Sequence, residues 1–406
     1  MIVALMRRRV PCRQLLGNAV RAAALIGVAL GLGGCGISNW LHGGKSNLEP
    51  PAPITEFAAA YNVEKVWSAD IGGGAGKKYI RLSPYLDDDT LYVAEAKGRV
   101  RAYKADSGKR IWEVHLKDTE IEGGTGFADG MVLLGTRKGQ VVALKASNGA
   151  RLWTTDLSSE VLAPPVSGSG VVVVQTVDGK VFGLAVDSGK QLWMQEHTVP
   201  ALSLRGTSTP LIASDVVLTG LANGRLAAYR LTDGKQLWDV PVSEPHGRSD
   251  IERLTDVDAP PVIVGNTLYA AAYHGKIVAF SLNSGRILWE RNISVYSGLA
   301  VGVNNLYVAD ENGKVFALSL TTGATIWEQN ILHGRWLSAP AVLGNTVAFG
   351  DFEGYVHWLS TDDGRLVARY RMSSDAILAA PVAGSTTLYV ADQGGQIAAF
   401  RLHSKK

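Results

Sequence analysis

The chain predicts an all-β fold, an eight-bladed β-propeller of four-stranded antiparallel blades, and three observations carry that reading. One string recurs eight times, at its clearest as Gly275-Lys-Ile-Val-Ala-Phe280 followed, after four residues, by Gly285-Arg-Ile-Leu-Trp289. The repeat glycines advance by about 40 residues with short alternating apolar runs between Gly-centred turns, the pattern of a propeller or solenoid. The last repeat stops at Phe400-Arg-Leu402 without its Trp, whereas Val63-Glu-Lys-Val-Trp67 stands alone before the first full repeat. An N-terminal strand that completes the last blade closes the ring and leaves no long edge unpaired.

Each unit justifies four strands. A short apolar run such as Leu268-Tyr-Ala-Ala-Ala272 precedes the first Gly and an alternating run, Lys276 to Leu282, follows it, so the Gly turns one strand into the next. The other copies read Gly98…Gly108…Trp112, Gly139…Gly149…Trp153, Gly179…Gly189…Trp193, Gly224…Gly234…Trp238 and Gly313…Gly323…Trp327, then Gly354…Gly364 with Ala368 in place of Trp, and finally Gly395. Asp106, Ser147, Asp187, Thr232, Asn283, Thr321 and Asp362 stand two places before the second Gly, where a side-chain oxygen is expected to bond the turn backbone. The run ending in Trp is the outer strand, and an opening run such as Ser338-Ala-Pro-Ala-Val342 is the inner one. One large aromatic per blade is expected to pack between blades, which makes Ala368 the mark of a looser seam.

Ahead of the ring, five arginines precede Ala22-Ala-Ala-Leu-Ile-Gly-Val-Ala-Leu30, an apolar run short for a membrane span but right for a signal peptide. Leu32-Gly-Gly-Cys35 behind it resembles the bacterial lipobox, so residues 1–34 are expected to be removed and Cys35 to carry lipid; the plainer alternative is a signal peptide with an incidental Cys. The only other cysteine, Cys12, lies in the removed segment, so the mature chain has no thiol for a disulfide, a catalytic pair or a zinc cluster. The five arginines leave too, and 40 basic against 37 acidic residues becomes 35 against 37, which removes any case for nucleic-acid binding. Residues 35–60, with Glu49-Pro-Pro-Ala-Pro53, are expected to form a flexible tether, and residues 61–406 the propeller.

Motifs for chemistry are sparse. Gly72-Gly-Gly-Ala-Gly76-Lys77-Lys78 lacks the Ser or Thr and the following helix of a phosphate loop, and is expected to be a mobile connection. No His-Glu-x-x-His, metal-spaced His pair or Gly-x-Ser-x-Gly occurs. Glu95, Asp310, Asp351 and Asp392 recur three places before the turn Gly; they form either a carboxylate arc for a cation or caps of their own turns.

The informative deviation is in length. Gly179 to Gly224 and Gly224 to Gly275 span 45 and 51 residues, and the surplus falls after Trp193 and Trp238, in two neighbouring inter-blade connections on one face. They contain Pro200-Ala-Leu-Ser-Leu-Arg205-Gly206 and Asp250-Ile-Glu-Arg-Leu-Thr-Asp256-Val-Asp258. Leu202, Leu204 and Arg205 beside Asp256 and Asp258 suit a protein-binding patch. Alternatively the leucines fold into the core and Arg205 pairs with Asp256 or Asp258.

A lipobox, a short tether, eight Gly-x-Val-x-Ala-Leu…Thr-Gly…Trp repeats, Leu202-Ser-Leu-Arg205-Gly206 and Arg253-Leu-Thr-Asp256-Val-Asp258 together resemble the BamB family, propeller lipoproteins of the outer-membrane β-barrel assembly (Bam) machinery. The resemblance implies a non-catalytic scaffold without cofactor or metal, anchored by lipid to the outer membrane and facing the periplasm. It implies binding to the POTRA domains of BamA, and through BamA to the other Bam components, in the delivery and insertion of outer-membrane proteins, whose unfolded chains are a further partner. The residues that contact BamA in that family match Leu202, Leu204, Arg205, Asp256 and Asp258. The repeats alone are also similar to those of quinoprotein alcohol dehydrogenases, which hold pyrroloquinoline quinone over calcium. Those enzymes are longer and carry a vicinal Cys pair, which this chain lacks.

Overall fold

The computed structural model describes residues 50–76, 78–246, 248–250 and 252–405. The signal segment, Cys35 and the first part of the expected tether lie outside the described residues. These carry 32 strands and no helix, in eight four-stranded antiparallel sheets that form an eight-bladed propeller. Blades one to seven span residues 85–115, 121–156, 166–196, 211–241, 262–291, 299–329 and 341–371. The eighth joins Val382–Ala383, Leu388–Ala391 and Gln396–Ser404 to the N-terminal strand Tyr61–Asp70, which pairs antiparallel from Tyr61 with Ser404 to Asp70 with Gln396. The closure expected from the unmatched ends is therefore the observed one.

Alternation along each strand divides its side chains between two seams. In blade two, Val132, Leu134, Val142 and Leu144 pack with Tyr92 and Trp112 of blade one, while Leu133, Val141 and Ala143 pack with Val172, Val174 and Phe182 of blade three. The core is thus a set of inter-blade layers. Turns at the first repeat Gly and the connections between blades lie on one face, and turns at the second repeat Gly lie on the other.

The Trp–Gly recurrence is a clasp across the seam. Trp67, Trp112, Trp153, Trp193, Trp289 and Trp327 each donate the indole N–H to a carbonyl of the next blade, at 2.6–2.9 Å. Each indole lies flat on the second Gly of that blade: a Cβ at Gly364 would stand 2.4 Å from the Trp327 ring, and Gly364 holds φ at 73°. Both demands exclude a side chain there. The turn oxygen is one residue later than expected: Asn148, Asp233, Thr322 and Asp363, each immediately before the Gly, accept the N–H of Ala150, Lys235, Ala324 and Arg365.

Two seams depart from this rule, and the one expected to be loose is filled from another strand. In blade seven Trp358 stands opposite Ala368, whereas blades one, two, five and six place Ala102, Ala143, Ala279 and Ala317 opposite Trp. The large and small residues have changed strands, so Trp358 fills the seam, fully buried and edge-on to Phe400 at 6.0 Å. That filling is by packing alone, because Trp358 Nε1 is buried without a hydrogen-bond partner. The seam between blades four and five also lacks the clasp. Trp238 makes no such bond, and a Cβ at Gly285 would meet nothing within 4 Å.

Two further expectations are corrected. The Gly72–Gly76 connection is packed: Gly76 N–H reaches Gln393 O at 3.1 Å, Gly74 O accepts from Ala96 at 2.8 Å, and Ala75 is buried. Of the expected tether, residues 51–60 are seated on the propeller, with Ala52 N–H on His333 O at 2.8 Å and Ala60 N–H on Val367 O at 2.9 Å. Backbone hydrogen bonding at both ends gives the segment partners that a free linker would seek in water.

Candidate functional site

At the centre of the face that carries the inter-blade connections, the ring opens into a funnel of about 540 Å³. Its wall is built from Glu122 at the start of an inner strand and from residues that lead into the other inner strands, among them Arg81, Leu204, Arg205, Asp258 and Tyr296. Tyr79, Tyr273 and Trp336 supply further aromatic surface. Trp336 holds φ at 47° and is 54% exposed, an unusual backbone for an aromatic that keeps the indole on the rim. Apolar walls with a few placed charges are the ordinary composition of a recognition site.

The predicted patch residues divide. Leu204, Arg205 and Asp258 line the funnel, and Leu202 stands outside it, 40% exposed. Asp256 is 1% exposed; its Oδ2 accepts the Leu204 N–H, so it reaches the surface only through the loop it holds. The two long connections are therefore joined, but by this bond rather than through Arg205.

Arg205 does not pair with Asp256 or Asp258. Its Nη2 lies 2.8 Å from Glu122 Oε2 and 3.8 Å from Glu160 Oε1, carboxylates of blade two and of the next connection. Glu122 has a fully buried side chain and also accepts from Lys78 Nζ at 3.0 Å. A buried carboxylate with two cationic partners is satisfied, and it orients a guanidinium that remains about half exposed. Arg81 is fixed separately, donating to Tyr296 O at 3.1 Å with its guanidinium 5.5 Å from the Tyr296 ring centre.

The aspartates sit in an unfavourable medium. Burial pushes the Asp256 carboxyl up to about 7, against the lowering effect of the Leu204 N–H, and Asp258 beside it adds to the rise. Burial likewise pushes Asp258 up to about 6, moderated by the Arg81 charge. Asp256 Oδ1 has no hydrogen-bond partner in the structure.

The acidic arc resolves mostly into turn caps. Asp310, Asp351 and Asp392 each accept two backbone N–H groups of their own turns through Oδ1, at 2.8–2.9 Å. Glu95 differs: its longer side chain is buried and Oε2 has no partner. Asp351 also accepts from Arg335 Nε at 2.7 Å and lies 2.8 Å from His357 Nε2, a buried cluster that joins blade seven to the connection before it. Among the described residues, no group of three His, Cys, Asp or Glu side chains could hold a metal ion.

Sequence reasoning missed Glu122, Arg81 and the aromatic rim. The one signal was Glu122 itself, an acid in the run Ile121-Glu-Gly-Gly-Thr-Gly126 that otherwise reads as small and apolar.

Residues 58–117, 96–329 and 320–405 match the family described as outer membrane protein assembly factor BamB. A curated relative so named from Pseudomonas aeruginosa is 41% identical over 380 residues, covering 94% of this chain and 98% of the relative. The crystal structure of BamB from Moraxella catarrhalis is similar with a TM-score of 0.77 and 29% identity, over 84% of this chain and 100% of that one. Quinohemoprotein alcohol dehydrogenase from Comamonas testosteroni aligns with a TM-score of 0.68 but 12% identity, over 85% of this chain and 77% of that one, a likeness of fold alone.

Proposed function

Since the chain belongs to the BamB family of outer membrane protein assembly factors, we propose that it is a non-catalytic scaffold of outer-membrane β-barrel assembly. In this reading Cys35 carries the lipid that ties it to the outer membrane, and the ring faces the periplasm. Leu202 outside the funnel and Leu204, Arg205 and Asp258 on its wall dock a POTRA domain of BamA. Asp256 holds Leu204 in place for that contact.

The observation that supports the patch most is the buried Glu122 beneath Arg205. An ion pair that holds a half-exposed guanidinium beside exposed Leu202 reduces the ordering cost of docking. Central apolar anchors beside a fixed Arg are the groups that carry interface energy. Unfolded clients would then meet the POTRA domain that the ring positions, through strand addition to its edge.

The test is co-purification from membranes solubilised in mild detergent. Leu202→Glu is the cleaner variant, because Leu202 is 40% exposed, whereas Arg205→Glu would place a third carboxylate beside Glu122 and Glu160. BamA is expected with the wild type and not with Leu202→Glu; equal recovery from both would remove the patch from the account.

A further inference from the structure

The segment between the lipidation site and the ring has a seat. From Ala52 to Ala60 it descends the outer edge of blade seven, bound at each stage. On the funnel face Ala52 N–H donates to His333 O at 2.8 Å and Arg335 Nη1 to Ala52 O at 3.0 Å. Midway Arg369 Nη2 donates to Thr55 O at 2.6 Å, with its guanidinium 5.0 Å from the Phe57 ring centre. On the opposite face Ala60 N–H reaches Val367 O, and Ala60 O accepts from Lys405, both at 2.9 Å.

The outer edge of blade seven is shaped by this cover. The residue before the outer-strand Trp is exposed in blades one to six, as Ile111, Leu152, Leu192, Leu237, Leu288 and Ile326. The corresponding Val367 of blade seven is 2% exposed and packs with Ala60 and Tyr61. The seat on the funnel face is rigid too. Arg335, which holds Ala52, is buried and tied to Asp351, itself bonded to two backbone N–H groups and to His357.

We infer that residues 51–60 are a mount that fixes where the lipid-bearing N-terminus leaves the ring, on the funnel face between blades six and seven, so that the funnel face is the membrane-proximal one. Residues 36–50 alone then separate Cys35 from the mount, and they reach only about 50 Å when fully extended. Without the seat, residues 36–60 would reach about 85 Å and could leave from either face. The mount thus shortens the leash and selects a face. It rests on the reading of Cys35 as lipidated and adds to it an orientation, which brings a partner docked on the funnel between the ring and the bilayer.

The experiment uses the full chain, processed and lipidated in cells and reconstituted in vesicles with acceptor-labelled headgroups. Donor dyes are placed singly at Leu202→Cys on the funnel face and at Asp363→Cys on the opposite face; both sites are exposed, and the mature chain has no other free thiol once Cys35 is acylated. The faces are about 20 Å apart, the length of a six-residue strand, which energy transfer resolves. Stronger transfer from Leu202→Cys is expected, with the difference lost in a Phe57→Ser, Arg335→Gln and Arg369→Ala chain whose Ala52 and Ala60 amides exchange as in a free peptide. Equal transfer from both faces in the seated protein, or a difference that survives its release, overturns the proposal. A chain that stays out of the membrane fraction contradicts the lipid reading instead, and the mount is then judged by amide exchange. Protection of Ala52 and Ala60 comparable to blade strands supports it, and exchange at the rate of a free peptide overturns it.

Discussion

Arg205 and Glu122 meet across the funnel with Nη2 2.8 Å from Oε2, 83 residues apart in sequence, tying the connection after blade three to the inner strand of blade two. The exposed end of the pair faces the solvent and the buried end has a second cation, Lys78. The pair therefore acts as a brace for the rim rather than as a free charge.

Glu122→Gln is expected to loosen that brace. It keeps the shape but weakens two charge-assisted bonds, and because Arg205 and Lys78 retain access to water the loss is about 1–3 kcal/mol. Urea denaturation measures it, and amide exchange across residues 200–206 should rise in the variant.

Asp256, which is buried, and Asp258, half-buried on the funnel wall, give a pH dependence of unusual sign. Their folded-state carboxyls lie above the ordinary 3.8, at about 7 and about 6, so between those values the folded protein binds more protons than the unfolded chain. Stability from this source is present at low pH and is lost as pH rises from about 4 to about 7. Asp256→Asn, whose amide oxygen can still accept the Leu204 N–H, should flatten the slope and stabilise the protein at pH 8 by about 1–3 kcal/mol. Melting temperatures from pH 5 to 8 for both proteins check the sign.

The inverted pair in blade seven makes a two-residue prediction. Ala368→Trp adds a second indole opposite Trp358 and should destabilise by about 1–3 kcal/mol, and Trp358→Ala empties the seam at a cost of about 3–5 kcal/mol. Together they recreate the Ala–Trp order of the other blades, so the double variant should be more stable than Trp358→Ala alone. Thermal denaturation of the three proteins reads the coupling.

Equal chemistry at two turns should have unequal cost. Gly364→Ala meets the Trp327 ring at 2.4 Å besides adopting positive φ, whereas Gly285→Ala at a similar φ meets open space. The first should lower the melting temperature clearly more than the second.

The ring was legible because its causes are periodic. Gly at the turns, alternating apolar runs and an unmatched strand at each end specify blades, seams and closure without reference to distant contacts. What escaped was set by pairing between blades. Ala368 reads as a missing Trp only until Trp358 is seen opposite it, and no local pattern announces that exchange. The site divided in the same way. The two long connections stood out by length, and Leu202, Leu204 and Arg205 by composition, but Arg205 found its partner in Glu122 on an earlier blade rather than in the nearby Asp256. Asp256 proved to be a buried support because a backbone N–H, which sequence does not distinguish, was its nearest donor.

Calorimetric titration of the purified protein with a purified BamA POTRA segment reads docking on the funnel face, with Leu202→Glu on that face beside Ile111→Glu on the outer edge, both exposed apolar positions. Binding is expected, weakened at least about tenfold, or 1.4 kcal/mol, by Leu202→Glu and unchanged by Ile111→Glu. Binding that ignores Leu202→Glu and fails with Ile111→Glu would place the partner on the outer edge and contradict the funnel-face scaffold.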